Sequence, residues 1–254
     1  MRSVLLAVYL ILCTSFVISA PTEDKVAYLP EMGNFAFNMF SGYLEINNTK
    51  KALHYVFAES QNNPQTDPLL VWFNGGPGCS SLLGFLQEHG PYVMEDEDNF
   101  FHYNNYSWNK EANIVYIESP AGVGYSVCND TKECNFTDEN SSEDNLVALY
   151  NFMVKFPEFA NHDLYLSGES YAGIYVPYLA WQVYLWNINP DNEFKFNLKG
   201  IMVGNGVTNW EWDGDAAYVK LAWYLNLYSP DFKAKLMKNN CQFLFIDAGI
   251  DPSP

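Results

Sequence analysis

The sequence predicts an α/β fold in which a mixed, mostly parallel sheet is flanked by helices. Three observations support this prediction. Apolar runs with almost no polar interruption, such as residues 69–73, are typical of strands buried on both faces of a parallel sheet. Apolar residues recur at helical spacing between positions 146 and 154. Ser170, with the small residues Gly168 and Ala172 two positions before and after it, follows a short apolar run at 164–166, as in a sharp strand-to-helix turn.

The composition is that of a globular protein with a strongly acidic surface. The chain has 254 residues, of which 48% are hydrophobic and 17% aromatic, so it can form one domain or most of a larger one. Its formal net charge of -17 argues against nucleic acid and against anionic membrane surfaces as partners, because both select basic faces. Such an excess of carboxylates suits an acidic compartment, where partial protonation relieves their mutual repulsion.

Residues 1–20 have the pattern of a secretory signal peptide. Arg2 precedes an apolar run from Val4 to Ile18, which ends in the small residues Ser19 and Ala20. The run is too short for a comfortable membrane span, so a retained anchor is the less favoured alternative. Cleavage after Ser19 and cleavage after Ala20 both remain open. No other segment is long and apolar enough, and we therefore expect no membrane span in the mature chain.

Of the five cysteines, Cys13 is in the signal peptide, and the remaining four, together with five glycosylation sequons, fit a secreted chain. Cys128 and Cys134 enclose a short polar loop and are predicted to form a disulfide, and Cys79 and Cys241 complete an even number. The cysteine spacings suit no zinc site, and we expect neither a metal nor a cofactor. The sequons are at Asn47, Asn105, Asn129, Asn135 and Asn140.

In chain order, the first predicted elements are strands. Residues 40–46 and 52–59 alternate in polarity and predict a hairpin at the edge of the sheet, and core strands are predicted at 69–73, 114–117, 164–166 and 198–203. The helix at 146–154 should follow an acidic first turn of Glu143 and Asp144. A second helix should run from the serine turn toward Trp186, kinked or restarted near Pro177.

The turn around Ser170 is predicted to be a nucleophile elbow. Gly168 and Ala172 provide the small neighbours that a strained serine turn requires, although the general pattern has glycine where Ala172 stands. The alternative is an ordinary surface serine at a glycine-flanked turn. Glycines at 75, 76 and 78 follow the predicted strand at 69–73, where bare backbone N–H groups can point into a site. If the two segments meet, the amides of Gly76 and Tyr171 are the candidates for an oxyanion hole.

Several stretches resemble the serine carboxypeptidases, a family of α/β-hydrolases. They are Gly168-Glu169-Ser170-Tyr171-Ala172-Gly173, the run from Trp72 to Ser81, and the segments 87–91, 108–109, 112–126 and 200–206. The resemblance runs from about Leu29 to at least Trp210. It implies an α/β-hydrolase domain over residues 21–209 that is incomplete at its C-terminus, followed at 210–254 by the start of a helical cap insertion. It also implies that Cys79 bridges to a later part of the chain, where the partner is either Cys241 or a cysteine that this sequence lacks.

The resemblance implies a serine-type carboxypeptidase that acts on peptide or protein C-termini. Apart from Arg2, the chain has no arginine with which to hold a substrate carboxylate. In the family, that role would fall to the side chains of Asn74 and Glu169 and the backbone of Gly75. Trp72 and Glu88 would then orient Glu169. Two carboxyl groups this close must share a proton, so we expect peptide cleavage to be favoured at acidic pH through a protonated Glu169.

The catalytic base is where the sequence departs from the family. α/β-Hydrolases place their triad in the order serine, acid, histidine. The four histidines, His54, His89, His102 and His162, all precede Ser170, and each is expected to be structural. None of Asp213, Asp215 and Asp247 is assigned to the triad. The chain alone should therefore be nearly inactive, either because it is truncated, which we favour, or because a second polypeptide supplies the aspartate and the histidine.

Two other functions remain open. An inactive family member could act as a binding protein for C-terminal carboxylates or partner proteins. A carboxypeptidase-like acyltransferase or a secreted esterase is also consistent with the serine motif, although Glu169 favours peptide hydrolysis. The sequence indicates the secretory pathway but does not distinguish a lysosome or vacuole from export.

Overall fold

The structure is a computed structural model, and it describes residues 20–30, 32–94, 100–210, 213 and 221–239. Three of the predictions fall outside these residues: the signal peptide up to residue 19, Cys241 with its proposed bridge, and the aspartates at 215 and 247. Among the helices of the described ranges, none is long and apolar enough to cross a bilayer.

A mixed sheet of seven strands forms the centre of the described fold. Its order is β11-β10-β5-β8-β4-β3, and the short strand β9 pairs beside β4. Two small antiparallel pairs, β1 with β2 and β6 with β7, lie outside it. The strands are β1 (Tyr28–Leu29), β2 (Gly33–Asn34), β3 (Met39–Glu45), β4 (Lys51–Ala58), β5 (Leu69–Phe73), β6 (Tyr92–Met94), β7 (Phe101–Tyr103), β8 (Asn113–Ile117), β9 (Val127–Cys128), β10 (Leu164–Glu169) and β11 (Leu198–Gly204).

The central strands of the sheet are parallel, and the edge hairpin is antiparallel. Strands β5, β8, β10 and β11 are parallel, whereas β3 and β4 form an antiparallel hairpin that joins the sheet through β8. All five residues of both β5 and β8 are buried, as expected for parallel strands covered on both faces. The predicted mixed, mostly parallel sheet is confirmed, and the predicted strands agree with the observed ones to within one or two residues at most ends.

Helices cover the sheet, and apolar residues fill the space between the two layers. The helices are α1 (Asp138–Lys155), α2 (Ala172–Ile188) and α3 (Pro230–Lys238), with 3₁₀ turns at Thr22–Asp24, Trp108–Lys110 and Pro157–Phe159 and a π-helical turn at Gly84–Glu88. The larger core cluster joins α1 and α2 to the sheet through fully buried residues such as Phe152 and Val176. A second cluster, around Trp72 and Tyr116, contains buried side chains from β4, β5 and β8.

One predicted helix start was wrong, and the structure excludes one of the two alternatives predicted for the other helix. Helix α1 begins at Asp138, where Thr137 and Asn140 form a reciprocal capping box, so Glu143 and Asp144 do not make up its first turn. Asp144 is buried instead and pairs with Lys51 at 2.5 Å. For α2, which was predicted to be kinked or restarted near Pro177, a restart is excluded because Pro177 lies inside one continuous helix. The proline is in the second turn of the helix, where its neighbour Val176 is buried in the core cluster.

The loop after β9 contains a disulfide, and its neighbourhood carries several sequons. Cys128 and Cys134 are joined with an S–S distance of 1.98 Å, whereas Cys79 is an exposed free thiol. The asparagines of four sequons are exposed, namely Asn47, Asn105, Asn129 and Asn135. The fifth, Asn140, is half-buried, and its side chain is engaged in the cap of α1.

Candidate active site

Ser170 sits on a strained turn between β10 and α2. Its φ angle is 58°, in the left-handed region that a residue with a side chain rarely adopts. A Cβ at Gly168 would lie 2.4 Å from the carbonyl oxygen of Phe73 and 2.6 Å from the Cβ of Ala172, so only glycine fits there. The local sequence therefore allows the turn to be sharp.

The backbone of the turn is held in place by three hydrogen bonds. The Ser170 amide donates to the Gly204 carbonyl at 3.0 Å, and the Ser170 carbonyl accepts from the amides of Gly173 and Val207 at 3.0 and 2.9 Å. The side chain of Ser170 is half-buried and so remains accessible. Throughout the described chain, no group forms a hydrogen bond with Ser170 Oγ.

The loop after β5 packs directly against this turn. Gly75 is buried, and a Cβ on it would lie 2.3 Å from the Tyr171 amide nitrogen and 2.9 Å from the Ser170 Cβ. Gly76 follows with a φ of 110°. Neither the Gly76 amide nor the Tyr171 amide donates to any acceptor within the described ranges. The two segments named in the sequence thus meet, and both amides are available to a ligand oxygen beside the serine.

Asn74 connects a tryptophan to two glutamates beneath the loop. It is 2% exposed. Its Oδ1 accepts from Trp72 Nε1 and from the Gly84 amide, both at 2.9 Å. Its Nδ2 donates to Glu88 Oε1 at 2.9 Å and to Glu169 Oε1 at 3.0 Å. Trp72 therefore acts on Glu169 through Asn74, and both Asn74 amide protons point at carboxyl groups.

The pKa of Glu88 is raised above its usual range. Burial is the main cause, the neighbouring charge of Glu169 adds to it, and the hydrogen bond from Asn74 opposes it. The sequence-based expectation placed the shared proton on Glu169. In the structure, the raised pKa favours a proton on Glu88, the other carboxyl group of the pair.

A cavity of about 510 Å³ opens beside these carboxyl groups. One wall is aromatic, because the His89 ring stacks on Trp108 at 4.1 Å and meets Trp72 edge-on at 4.2 Å. Burial lowers the pKa of His89 to about 4, so this imidazole is neutral at ordinary pH. The cavity is lined by Trp72, Glu88, His89, Trp108, Gly168, Glu169, Met202, Val203 and Gly204.

The histidines are engaged away from the serine. His54 bonds to Ser41 and Glu118, His89 bonds to Tyr116, and His162 bonds to the Asp67 carbonyl. His102 lies in β7. Since no hydrogen bond reaches Ser170 Oγ in the described residues, none of the four is bonded to it as a base. The structure thus brings together Ser170, the two amides and the carboxyl pair, and in the described part of the chain no base is hydrogen-bonded to the serine.

Asp213 has a local role. Its Oδ2 accepts from the Thr208 amide, the Thr208 hydroxyl and the Asn209 amide, and these bonds lower its pKa. These contacts are those of a carboxylate that closes an exposed turn.

Two residues that support the site were assigned no role from the sequence. Ser81 is buried, and its hydroxyl donates to the Ile117 carbonyl at 2.6 Å and accepts from the backbone N–H of Asn74 at 3.2 Å. Gly84 allows the π-helical turn to approach Trp72, whose Nε1 would lie 2.3 Å from a Cβ at that position. Both lie in the stretch that continues the glycine-rich loop, but only their three-dimensional contacts explain why a serine and a glycine stand there.

The fold and the site define a class of protein. A strained serine between a central parallel strand and the following helix, beside a glycine-rich loop that follows a neighbouring strand, is the arrangement of the α/β-hydrolases. The sequence profile of the serine carboxypeptidases matches residues 30–249. The chain therefore belongs to the serine carboxypeptidase family.

Known proteins support this membership. The chain is 42% identical over 224 residues to the lysosomal protective protein of Mus musculus, covering 88% of this chain and 45% of the mouse protein. It is 42% identical over 229 residues to serine carboxypeptidase ctsa-4.1 of Caenorhabditis elegans, covering 89% of this chain and 47% of the relative. The crystal structure of Kex1(delta)p, a prohormone-processing carboxypeptidase from Saccharomyces cerevisiae, superimposes with a TM-score of 0.74 at 26% identity, covering 87% of this chain and 52% of that chain. The chain thus spans about half the length of the relatives it matches.

Proposed function

We propose that this chain is the nucleophile-bearing part of a serine-type carboxypeptidase that releases C-terminal residues from peptides through an acyl-enzyme on Ser170. The observation that carries the proposal is the approach of the Gly75 loop to the Ser170 turn, which leaves the Gly76 and Tyr171 amides without acceptors among the described residues. Peptide hydrolysis passes through a tetrahedral intermediate whose oxygen carries negative charge. Two amides beside the attacking oxygen are suited to stabilise that charge.

The proposed chemistry divides peptide cleavage into two steps. Ser170 Oγ attacks the last peptide carbonyl, the Gly76 and Tyr171 amides hold the oxyanion, and the C-terminal residue leaves as its amine is protonated. Water then hydrolyses the ester on Ser170. Both steps need a base that takes the serine or water proton and returns it to the leaving group. We propose that an aspartate and a histidine reach Ser170 from residues beyond Pro254 or from a second polypeptide.

The carboxyl and amide cluster accounts for selection of a chain terminus. A substrate carboxylate placed in the 510 Å³ cavity would approach Glu88 and Glu169, so its binding requires a proton on this pair. The raised pKa of Glu88 extends protonation to higher pH than an ordinary glutamate allows. Peptide binding should therefore weaken as the pH rises above the acidic range. The similarity to the lysosomal protective protein supports a lysosomal or another secretory-pathway location.

A non-catalytic binder is the second candidate. It is favoured by the absence, within the described residues, of any hydrogen bond between Ser170 Oγ and a base. In that case, the same carboxyl and amide cluster would bind peptide C-termini without cleaving them.

The test is an assay of the secreted product of the whole coding region. The protein is incubated with an N-acylated dipeptide between about pH 4 and pH 8, and release of the C-terminal amino acid is followed. We expect activity that disappears in Ser170→Ala and a KM that rises with pH. In Glu88→Gln, which keeps an acceptor for the Asn74 amide, the pH dependence of KM should change while kcat is largely retained. Binding without release by a folded wild type would favour the binder, and a KM independent of pH would contradict the carboxyl mechanism.

A further inference from the structure

A serine, a histidine and a glutamate form a hydrogen-bonded chain on the β3–β4 hairpin and the end of β8. Ser41 Oγ lies 2.9 Å from His54 Nε2, and His54 Nδ1 lies 2.9 Å from Glu118 Oε2. His54 is 7% exposed and Glu118 is fully buried. This hydrogen-bonded group of three side chains is distinct from the Ser170 site, and nothing in the proposed peptidase chemistry uses it.

The hydrogen-bond role of each imidazole nitrogen follows from the state of the glutamate. Although burial opposes ionisation of Glu118, hydrogen bonds from His54, from Ser80 and from the Tyr125 amide lower its pKa. An ionised Glu118 can only accept, so His54 Nδ1 must carry a proton and donate it. When the imidazole is neutral, this tautomer leaves Nε2 as an acceptor, to which Ser41 Oγ donates. A serine hydroxyl that donates to an imidazole oriented by a carboxylate is the arrangement that activates a nucleophile.

The relay, as we call Ser41, His54 and Glu118, is held rigidly by the sheet. His54 pairs with Tyr43 across the β3–β4 ladder, and Ser41 lies two residues before Tyr43 on β3. The side chains of Ser41 and His54 are therefore on the same face of the sheet. The His54 amide donates to Ser126 Oγ at 2.7 Å, and the rings of Tyr43 and Tyr125 meet the imidazole edge-on at 5.6 and 5.4 Å. These contacts fix the orientation of the imidazole before any ligand binds.

The relay faces an apolar cavity. Ser41 and His54 both line a cavity of about 670 Å³. The walls are mostly hydrocarbon side chains, which include Val26, Leu29, Met39, Val56, Phe85 and Leu86. Ser41 is half-exposed, so its hydroxyl is accessible from this space. The cavity shares no lining residue with the one beside Glu88 and Glu169. Its size is that of a pocket for a small apolar molecule.

We propose that Ser41 is a second acyl-accepting serine, activated by His54 and Glu118, and that the cavity beside it takes the apolar chain of a carboxylic ester. Ser41 Oγ attacks the ester carbonyl and its proton passes to His54 Nε2. The carbon–oxygen bond of the ester then breaks, and the alcohol leaves with that proton. Water hydrolyses the acyl group from Ser41 with the same histidine as base, which restores the hydroxyl. No co-reactant other than water is required.

The test uses alkyl fluorophosphonates, which phosphonylate activated serines with loss of fluoride, on the full chain carrying Ser170→Ala. This background removes the other candidate nucleophile, so the outcome is independent of the proposed peptidase function. Modified residues are identified by peptide mass spectrometry and folding is checked by thermal melting. We expect an adduct on Ser41 that forms at least about tenfold faster with a decyl probe than with an ethyl probe, because the longer chain buries more apolar surface. Ser60, whose hydroxyl donates to a carboxylate at 2.6 Å rather than to an imidazole, is the internal control and should stay unmodified.

His54→Gln tests the relay in the same background. Because this substitution removes the proposed base, it should slow modification of Ser41 by about a hundredfold, which is within the range for general-base assistance. An unmodified Ser41 in the folded protein would overturn the proposal. Equal rates with and without the His54→Gln substitution would show that the relay does not activate the serine, and equal rates for the two probes would exclude the cavity as the binding site.

Discussion

His89 should make the protein less stable as the pH falls from 7 to 4. Burial lowers its pKa from 6.5 to about 4, and within the described residues no hydrogen-bond partner meets its buried Nε2. Below pH 6.5 the unfolded chain takes up a proton at this residue, whereas the folded chain does so only near pH 4. Stability contributed by the neutral imidazole is therefore lost as the pH decreases. A pKa difference of about 2.5 corresponds to roughly 3 kcal/mol of unfolding free energy.

The assay is urea denaturation of wild type and His89→Gln at pH 7 and at pH 4. Glutamine keeps a polar group near Tyr116, which bonds His89 Nδ1 at 3.1 Å, but it does not titrate. Other titrating groups are common to both proteins, so they cancel in the difference between the two pH-dependent losses. We expect wild type to lose about 3 kcal/mol more than His89→Gln over this range, or about 1 kcal/mol at least after local relaxation. Equal losses in the two proteins would refute the reasoning.

Further substitutions test a tightly packed glycine, a buried ion pair and the proposed oxyanion hole. Gly124→Ala should lower the free energy of unfolding by roughly 2 to 4 kcal/mol, because the added Cβ would lie 1.8 Å from Oε1 of the buried Glu118. Gly33→Ala is the control, since Gly33 is also at positive φ but a Cβ there would have nothing within 4 Å, and it should cost only about 1 kcal/mol when both variants are compared by thermal melting. Lys51→Met should cost roughly 3 to 5 kcal/mol because it leaves Asp144 buried and unpaired, and adding Asp144→Leu should recover most of that loss in urea unfolding. Gly75→Ala should lower peptidase turnover of the full-length enzyme about a hundredfold by displacing the loop from the serine turn, and unchanged turnover would contradict the proposed oxyanion hole.

Much of the sheet could be predicted because burial on both faces leaves a simple signal. Residues 69–73 and 114–117 are almost entirely apolar, and in the structure every one of these residues is buried. The start of α1 was missed because its first two turns are polar in sequence. Ser141, Ser142 and Asn145 are nevertheless buried there, and the helix begins at the Thr137 cap. Local capping decided this boundary, whereas apolar spacing indicated only the later turns of the helix.

The sequence predicted which residues form the site better than it predicted the contacts between them. Ser170 and the glycine-rich loop could be identified because a strained turn and a close backbone approach restrict the residue types that fit. The connection of Trp72 to Glu169 through Asn74 depends on side-chain positions that no spacing reveals. The same holds for the Ser41 relay. Its glutamate is 64 residues from His54 in the chain and reaches it only through strand pairing in the sheet.

The central claim is that the Ser170 oxygen and the amides of Gly76 and Tyr171 surround one reacting centre. The most direct measurement is a crystal structure of the full-length protein after reaction with a fluorophosphonate. The account predicts a covalent bond from Ser170 Oγ to phosphorus, with the phosphoryl oxygen within about 3.1 Å of both amide nitrogens. A phosphoryl oxygen that points to solvent, away from both amides, or a Ser170 left unmodified in the active protein, would contradict it.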